Sequence, residues 1–256
     1  GSPILLIHDT LPGASGYEWS KIEDELAIDH TVYTVDLLGC GRSDKSSITY
    51  TNFVYVQMIS DFIKKIIGQK TDVIASGFSG SFVTMACHNE KELFNKIMLV
   101  NPPSLTQLKQ MPNRKDRLLK AALEIPIFGT LVYHMIVSRD NINNLFIEKM
   151  YYNPFHVDNQ MADAYYEAAH KGGYYTRFLY SSLAAKYINI NICHALKALD
   201  NSIYIVEGET EPNGKAVTDD YCASNPAIEV SVLKETKHLP HVEAPEAFLE
   251  QVKIFF

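Results

Sequence analysis

Ser76-Gly77-Phe78-Ser79-Gly80-Ser81 follows the short apolar run Val73-Ile74-Ala75 without a spacer and leads directly into a helix-patterned segment, Phe82 to His88. A chain that turns from strand to helix within a few residues needs very small side chains around the apex, and an apex side chain is held clear of the sheet edge. A serine presented in that way is a nucleophile for acyl transfer, provided a base within hydrogen-bond reach takes its proton. Ser79 is the candidate, with Gly77 and Ser81 as the small residues two positions to either side. A second register puts Phe78 at the apex between Ser76 and Gly80, and a phenylalanine attacks nothing. In a third account Ser79 only caps the following helix, since serine is favoured at helix starts for hydrogen bonds of its own.

Such a turn needs a sheet behind it. Short apolar runs of strand character are Ile4 to Ile7, Val32 to Val35, Val73 to Ala75, Ile97 to Val100, Ile203 to Val206 and Ile228 to Leu233. Between them Val56, Ile59, Ile63, Ile66 and Ile67 recur at helical spacing, as do Phe248, Val252, Phe255 and Phe256 behind Pro245, a residue suited to a helix start. Continuous apolar strands separated by helices predict an α/β fold, a mostly parallel central sheet with helices on both faces.

The rhythm breaks once. Residues 102–200 are helix-rich, show no convincing strand and are crowded with rings, among them Phe128, Tyr133, Phe146, Tyr151, Tyr165, Tyr166, Tyr174, Tyr175 and Tyr180. This predicts a helical lid inserted between two parts of the core, 1–101 and 201–256, with an apolar pocket beneath it. Most of the rings are expected to pack the lid on itself.

With 256 residues, 46% of them apolar, and 13 glycines, the chain is long enough for one sizeable α/β core. A formal net charge of −7 argues against a nucleic-acid partner. The densest basic run, Lys109 to Lys120, is diluted by acidic and apolar residues and reads as a solvated helix face. Cys40, Cys87, Cys193 and Cys222 are scattered without C-x-x-C spacing, so they read as ordinary thiols rather than a disulfide frame or a zinc site. No apolar run approaches the roughly 20 residues that span a bilayer. The chain opens on Gly1-Ser2-Pro3 without a methionine and enters a buried-type strand at once. Either Gly1-Ser2 is a cloning remnant or a longer protein continues upstream, and a signal or membrane anchor there would lie outside these residues.

Four motifs in order resemble those of the α/β-hydrolases, over nearly the whole chain outside the lid. His8-Asp9-Thr10-Leu11-Pro12-Gly13 after the strand Ile4 to Ile7, with Trp19, is similar to the family's His-Gly oxyanion loop. Asp36-Leu37-Leu38-Gly39-Cys40-Gly41-Arg42-Ser43-Asp44 resembles its D-x-x-G-x-G-x-S-D stretch. Gly208-Glu209-Thr210-Glu211 resembles the turn that carries the acid, and His238-Leu239-Pro240-His241-Val242-Glu243-Ala244-Pro245 the closing H-x-x-H-x-E-x-P signature. The resemblance implies that the family's first strands precede Ile4.

It also implies a serine hydrolase that cleaves a carboxylic ester or related acyl compound through an acyl-enzyme, without a cofactor. Ser79 would be the nucleophile, His238 the base and Glu211 the orienting acid, with the N–H groups of Thr10 and Gly80 as the oxyanion hole. Phe78, Asp9 and Tyr133 are the expected substrate contacts, and the aromatic lid leans the substrate toward something apolar. Glu209, then Asp219 and Asp220, are the replacements should Glu211 not serve. Asp9 stands where the family has glycine, which would crowd the carbonyl or set a charge beside the anion. His8 is expected to shape the oxyanion loop. His241, three residues after His238, has no acidic or cysteine ligand at zincin spacing, so no metal is expected. Sibling chemistry with an aspartate nucleophile at the elbow is disfavoured, because no aspartate lies between Val73 and Phe82. A non-catalytic protein using the lid pocket to hold a small apolar ligand or a partner is the alternative, favoured by Phe78 at the apex and by Asp9.

Overall fold

A computed structural model describes all 256 residues. Six strands form one parallel sheet in the order β2-β1-β3-β4-β5-β6: β1 Ser2–Ile7, β2 His30–Val35, β3 Thr71–Ser76, β4 Phe94–Val100, β5 Ile203–Gly208 and β6 Glu229–Leu233. Each of the six apolar runs read from the sequence lies within or overlaps one of these strands. The register pairs Leu6 with Ile74, Leu99 with Ala75 on one side and with Ile205 on the other, and Ile205 with Val230.

Period-two alternation sorts the strands' side chains onto two faces. Leu5, Ile7, Val73, Ala75, Ile97, Leu99, Ile203 and Ile205 belong to the larger core cluster, which also takes in Tyr55, Ile59 and Phe82. Ile4, Leu6, Ile74, Met98, Val100 and Val206 meet Trp19, Phe248 and Val252 in the second. The covering helices are α1 Glu23–Asp29, α2 Asn52–Phe62, α3 Ser79–Asn89, α10 Cys193–Ala198, α11 Gly214–Ser224 and α13 Pro245–Phe255, with the short α12 Pro240–Glu243 before the last. The Val56-to-Ile67 pattern is one helix that widens after α2 into a π turn at Ile63–Ile67 and stops at Gly68 in the left-handed conformation (φ 73°).

The long stretch between β4 and β5 holds only helices, as expected: α4 Leu105–Leu108, α5 Arg114–Glu124, α6 Pro126–Ile136, α7 Arg139–Leu145, α8 Asn159–His170, α9 Thr176–Ala184 and then α10. Tyr133, Phe146, Tyr151, Met161 and Tyr165 form a third cluster within it. The two ends of the stretch do not belong to this third cluster. Leu105, Leu108, Ile188, Ile192 and Leu196 are buried in the larger core cluster, so the free-standing part of the insertion is shorter than 102–200. No single helix is long and apolar enough to cross a membrane.

Because all six strands are parallel, the loops that leave their carboxyl ends share one edge. That edge brings together His8-Asp9 after β1, Gly77-Phe78 after β3, Asn101 after β4, Glu211 after β5 and the His238 loop after β6.

Candidate active site

Gly77 forms the apex of the turn between β3 and α3. It has φ +53°, the only left-handed residue in the turn, while Phe78 is already helical (φ −57°) and α3 begins at Ser79. A non-glycine residue there would be strained, and that strain is what a nucleophile at such an elbow bears. Both registers read from the sequence are therefore corrected by one or two residues: neither Ser79 nor Phe78 is at the apex, and the apex residue has no side chain. Ser79 lies on the first turn of α3, fully buried. Its hydroxyl donates to the His8 carbonyl at 2.6 Å and lies 3.1 Å from Thr10 Oγ1, which ties the oxyanion loop to the helix. The structure shows no hydrogen bond between Ser79 and His238.

Asp9 fills the place that Gly77 leaves open. A Cβ added to Gly77 would fall on the Asp9 carboxylate. Oδ1 of Asp9 accepts from the backbone N–H of Thr10 at 2.6 Å and from that of Phe78 at 2.8 Å. Two backbone amides from the β1 loop and from the residue after the elbow apex are the donors an acyl transferase aims at a developing oxyanion. Here both serve a resident carboxylate. Of the two amides named from the sequence, that of Thr10 is engaged by Asp9, while that of Gly80 bonds to the Gly77 carbonyl at 3.2 Å; the second amide on Asp9 is that of Phe78.

His238 and Glu211 do meet. Nδ1 of His238 is 3.2 Å from Glu211 Oε1, and Nε2 is 3.5 Å from Asp9 Oδ2, an ion-pair distance. Burial alone would lower the pKa of this imidazole, but hydrogen bonds to Asp9 and Glu211, and the charges of both, outweigh it and push the pKa up to about 10. The side chain is 19% exposed, so solvent screens part of that effect. The pairing with Asp9 and Glu211 favours the protonated form of the ring.

Two residues hold the histidine loop. Asn101 has φ +44°, and its side-chain amide donates to the carbonyls of Lys237 (2.8 Å) and His238 (2.9 Å) while its oxygen accepts from Gly208 N–H (3.0 Å). One side chain thus joins the acid-bearing and the histidine-bearing strand ends. Glu243 accepts from Lys237 N–H and from Tyr152 N–H, the latter in the stretch between β4 and β5, each at 2.7 Å. Asn101→Ala is expected to lose about 2–4 kcal/mol of stability, from three hydrogen bonds and a left-handed backbone that asparagine tolerates better than alanine. Calorimetry checks it as a melting temperature lower by roughly 5–10 °C.

The remaining sequence candidates fall on either side of the site. Asp9 and Phe78 line a cleft of about 540 Å³ with Asn101, Gln107, Met150, Glu211 and His238. Tyr133 does not: it is buried in the third cluster, and its hydroxyl donates to the Ala169 carbonyl at 2.7 Å. His8 accepts from Leu37 N–H at Nε2 (3.0 Å), so its Nδ1–H donates to the Asp9 carbonyl (2.6 Å), and it shapes the loop. His241 is fully buried, stacks on Trp19 at 4.3 Å and pairs with Glu18 at 3.1 Å. No three histidine, cysteine, aspartate or glutamate side chains are grouped to hold a metal ion. What the sequence reading missed is the role of Gly77. The signal lay in the glycine directly after the strand, the one residue of the turn that adopts φ > 0 without strain.

The profile of the Alpha/beta hydrolase family matches residues 4–251, and the chain belongs to that family. A 2-hydroxy-6-oxo-6-(2'-aminophenyl)hexa-2,4-dienoic acid hydrolase of Metapseudomonas resinovorans is 29% identical over 107 residues, 41% of this chain and 37% of that protein. An uncharacterized protein of Mycobacterium tuberculosis is 26% identical over 107 residues, 42% of this chain and 31% of its own. The match thus spans about a third of the length of these curated relatives. Among solved structures, an epoxide hydrolase (TM-score 0.80, 16% identity) and the 2-hydroxy-6-oxo-6-phenylhexa-2,4-dienoate hydrolase of Rhodococcus (TM-score 0.79, 18% identity) share the fold; each comparison covers 100% of this chain and 91% or 90% of the other.

Proposed function

We propose that this chain is a hydrolase of small, partly apolar molecules whose working group is the His238–Glu211 pair, and that no acyl-enzyme forms at Ser79. The observation that carries this reading is the position of His238: one ring nitrogen is fixed by Glu211 and the other faces the cleft beside Asp9. Family membership supports hydrolysis as the reaction. A carboxylic ester or related acyl compound, the substrate expected from the sequence, would be cleaved here by water without an elbow hydroxyl, with the His238 imidazolium supplying the proton to the leaving oxygen.

Two outcomes follow from a rate assay on a panel of apolar esters combined with a fluorophosphonate label. Wild type is expected to remain unlabelled, because no serine hydroxyl reaches the imidazole. His238→Ala is expected to lose at least about 100-fold in rate, the scale of a lost general acid. Labelling of Ser79, or a rate indifferent to His238, would contradict the proposal. The glycine at the apex favours a second reading, a binding protein without turnover, and an inactive wild type that retains an apolar ligand in the cleft would support it.

A further inference from the structure

We infer, resting on the reading of the cleft beside His238 as the substrate site, that the substrate carries a primary ammonium group and that Glu207, with the free oxygen of Glu211, is the residue that selects it.

Glu207 is the penultimate residue of β5, at the carboxyl edge of the sheet. It lines the cleft, yet only 5% of the residue is exposed. No hydrogen bond or ion pair of the structure ends on its carboxylate. The Thr218 hydroxyl beside it is turned to the carbonyls of Gly214 (3.3 Å) and Lys215 (3.1 Å). Lys215 pairs with Asp219, Lys237 donates to the Glu148 carbonyl, and Lys149 on the cleft wall pairs with neither glutamate. Glu211 is committed on one side only: Oε1 lies 3.2 Å from His238 Nδ1, while Oε2 is buried without a partner. Burial is the larger cause that raises the pKa of Glu207, opposed by Thr218, and the neighbouring charge of Glu211 raises it further.

The fold makes room for this carboxylate. Gly214 opens α11, and a Cβ added there would lie 2.2 Å from Glu207 Oε1. The positive end of α11 favours the ionised carboxylate, but no amide of its first turn donates to Glu207, so the side chain is not that helix's cap. A buried carboxylate without a partner is costly, and two such oxygens share one wall of the cleft. An ammonium brings three donors and no acceptor, so it can give both Glu207 and Oε2 of Glu211 a charge-assisted hydrogen bond. A bare divalent metal ion fits less well, since Ca²⁺ takes about six to eight oxygens and no three histidine, cysteine, aspartate or glutamate side chains are grouped here. Leu11, Phe78, Leu145, Met150 and Val217 line the same cleft and suit the apolar body of an amine.

The test uses n-hexylammonium chloride and 1-hexanol, probes that share a chain and differ in the charged head, titrated calorimetrically into the whole chain at neutral pH. Wild type is expected to bind hexylammonium at least about 10-fold more tightly than hexanol, the scale of one charge-assisted contact in a part-buried site. Glu207→Gln keeps the shape and removes the charge; checked for folding by circular dichroism, it is expected to lose that preference and keep its affinity for hexanol. A second reading needs no variant: the ¹³C signal of the Glu207 carboxyl in wild type is expected to move with hexylammonium and to stay with hexanol. Equal affinities in wild type, a preference retained by folded Glu207→Gln, or an unmoved carboxyl signal overturns the inference. Binding is read here without turnover, so the two readings fail separately. Equal affinities beside a His238-dependent rate sink the inference alone, whereas an ammonium preference beside rates indifferent to His238 upholds it and removes the hydrolase reading.

Discussion

Asp9→Gly combined with Gly77→Ser is expected to gain fluorophosphonate labelling at residue 77 and hydrolysis of an activated acetate ester roughly 10²–10⁴-fold above either single variant, the scale of a general base and an oxyanion hole acting together. The geometry for the exchange exists. Asp9 Oδ2 lies 3.5 Å from His238 Nε2 and a Cβ on Gly77 falls on the same carboxylate, so a serine oxygen there would stand close to the imidazole. Removing Asp9 frees the amides of Thr10 and Phe78 for a substrate oxyanion. Gly77→Ser alone collides with Asp9 and adds about 1–2 kcal/mol of left-handed backbone strain, so it is expected to destabilise the protein without labelling. Asp9→Gly alone opens the hole but supplies no nucleophile. Labelling of the double variant at Ser79, or none at all in a folded protein, would contradict the placement of the apex.

The second large effect is on stability against pH. The pKa of His238 is raised in the folded protein to about 10 from an ordinary 6.5, set chiefly against burial by Asp9 and Glu211. Below the unfolded value both states hold the proton and the folded protein has the full benefit of the pairing. Between the two values only the folded state keeps it, so stability falls as pH rises through that window and the contribution is gone above the folded value. Glu243 is also within charge range of this ring, and burial raises its own pKa. Asp9→Asn removes one of the two carboxylates on the imidazole. Denaturant melts from pH 6 to pH 10 are expected to show a shallower decline for Asp9→Asn than for wild type. An identical decline in both would mean that Asp9 does not hold the imidazolium.

The architecture was legible in the sequence because buried parallel strands are written as short unbroken apolar runs, and six such runs were there to find. His238 and Glu211 were legible for a related reason: each follows a strand, and parallel strands deliver their carboxyl ends to one edge, where the two side chains meet. The elbow was not. Ser76-Gly77-Phe78-Ser79-Gly80 offers two hydroxyls around a phenylalanine, and composition favours a hydroxyl at the apex; backbone dihedrals decide the matter, and they select the glycine. Asp9 was visible as a departure from the oxyanion loop, but its meaning depends on the side chain missing from residue 77, 68 positions away, a pairing no local pattern carries. Tyr133 was one ring among many, and which rings face a cleft is set by how the helices between β4 and β5 pack.

The most direct measurement of the central claim, that the Asp9 carboxylate stands against His238 in place of an elbow nucleophile, is a ¹⁵N nuclear magnetic resonance titration of the His238 ring in wild type and in Asp9→Asn. The account predicts an imidazolium that persists in wild type to about pH 10 and titrates at clearly lower pH in the variant. A ring that titrates near the ordinary histidine value in wild type, and does so unchanged in Asp9→Asn, would contradict it.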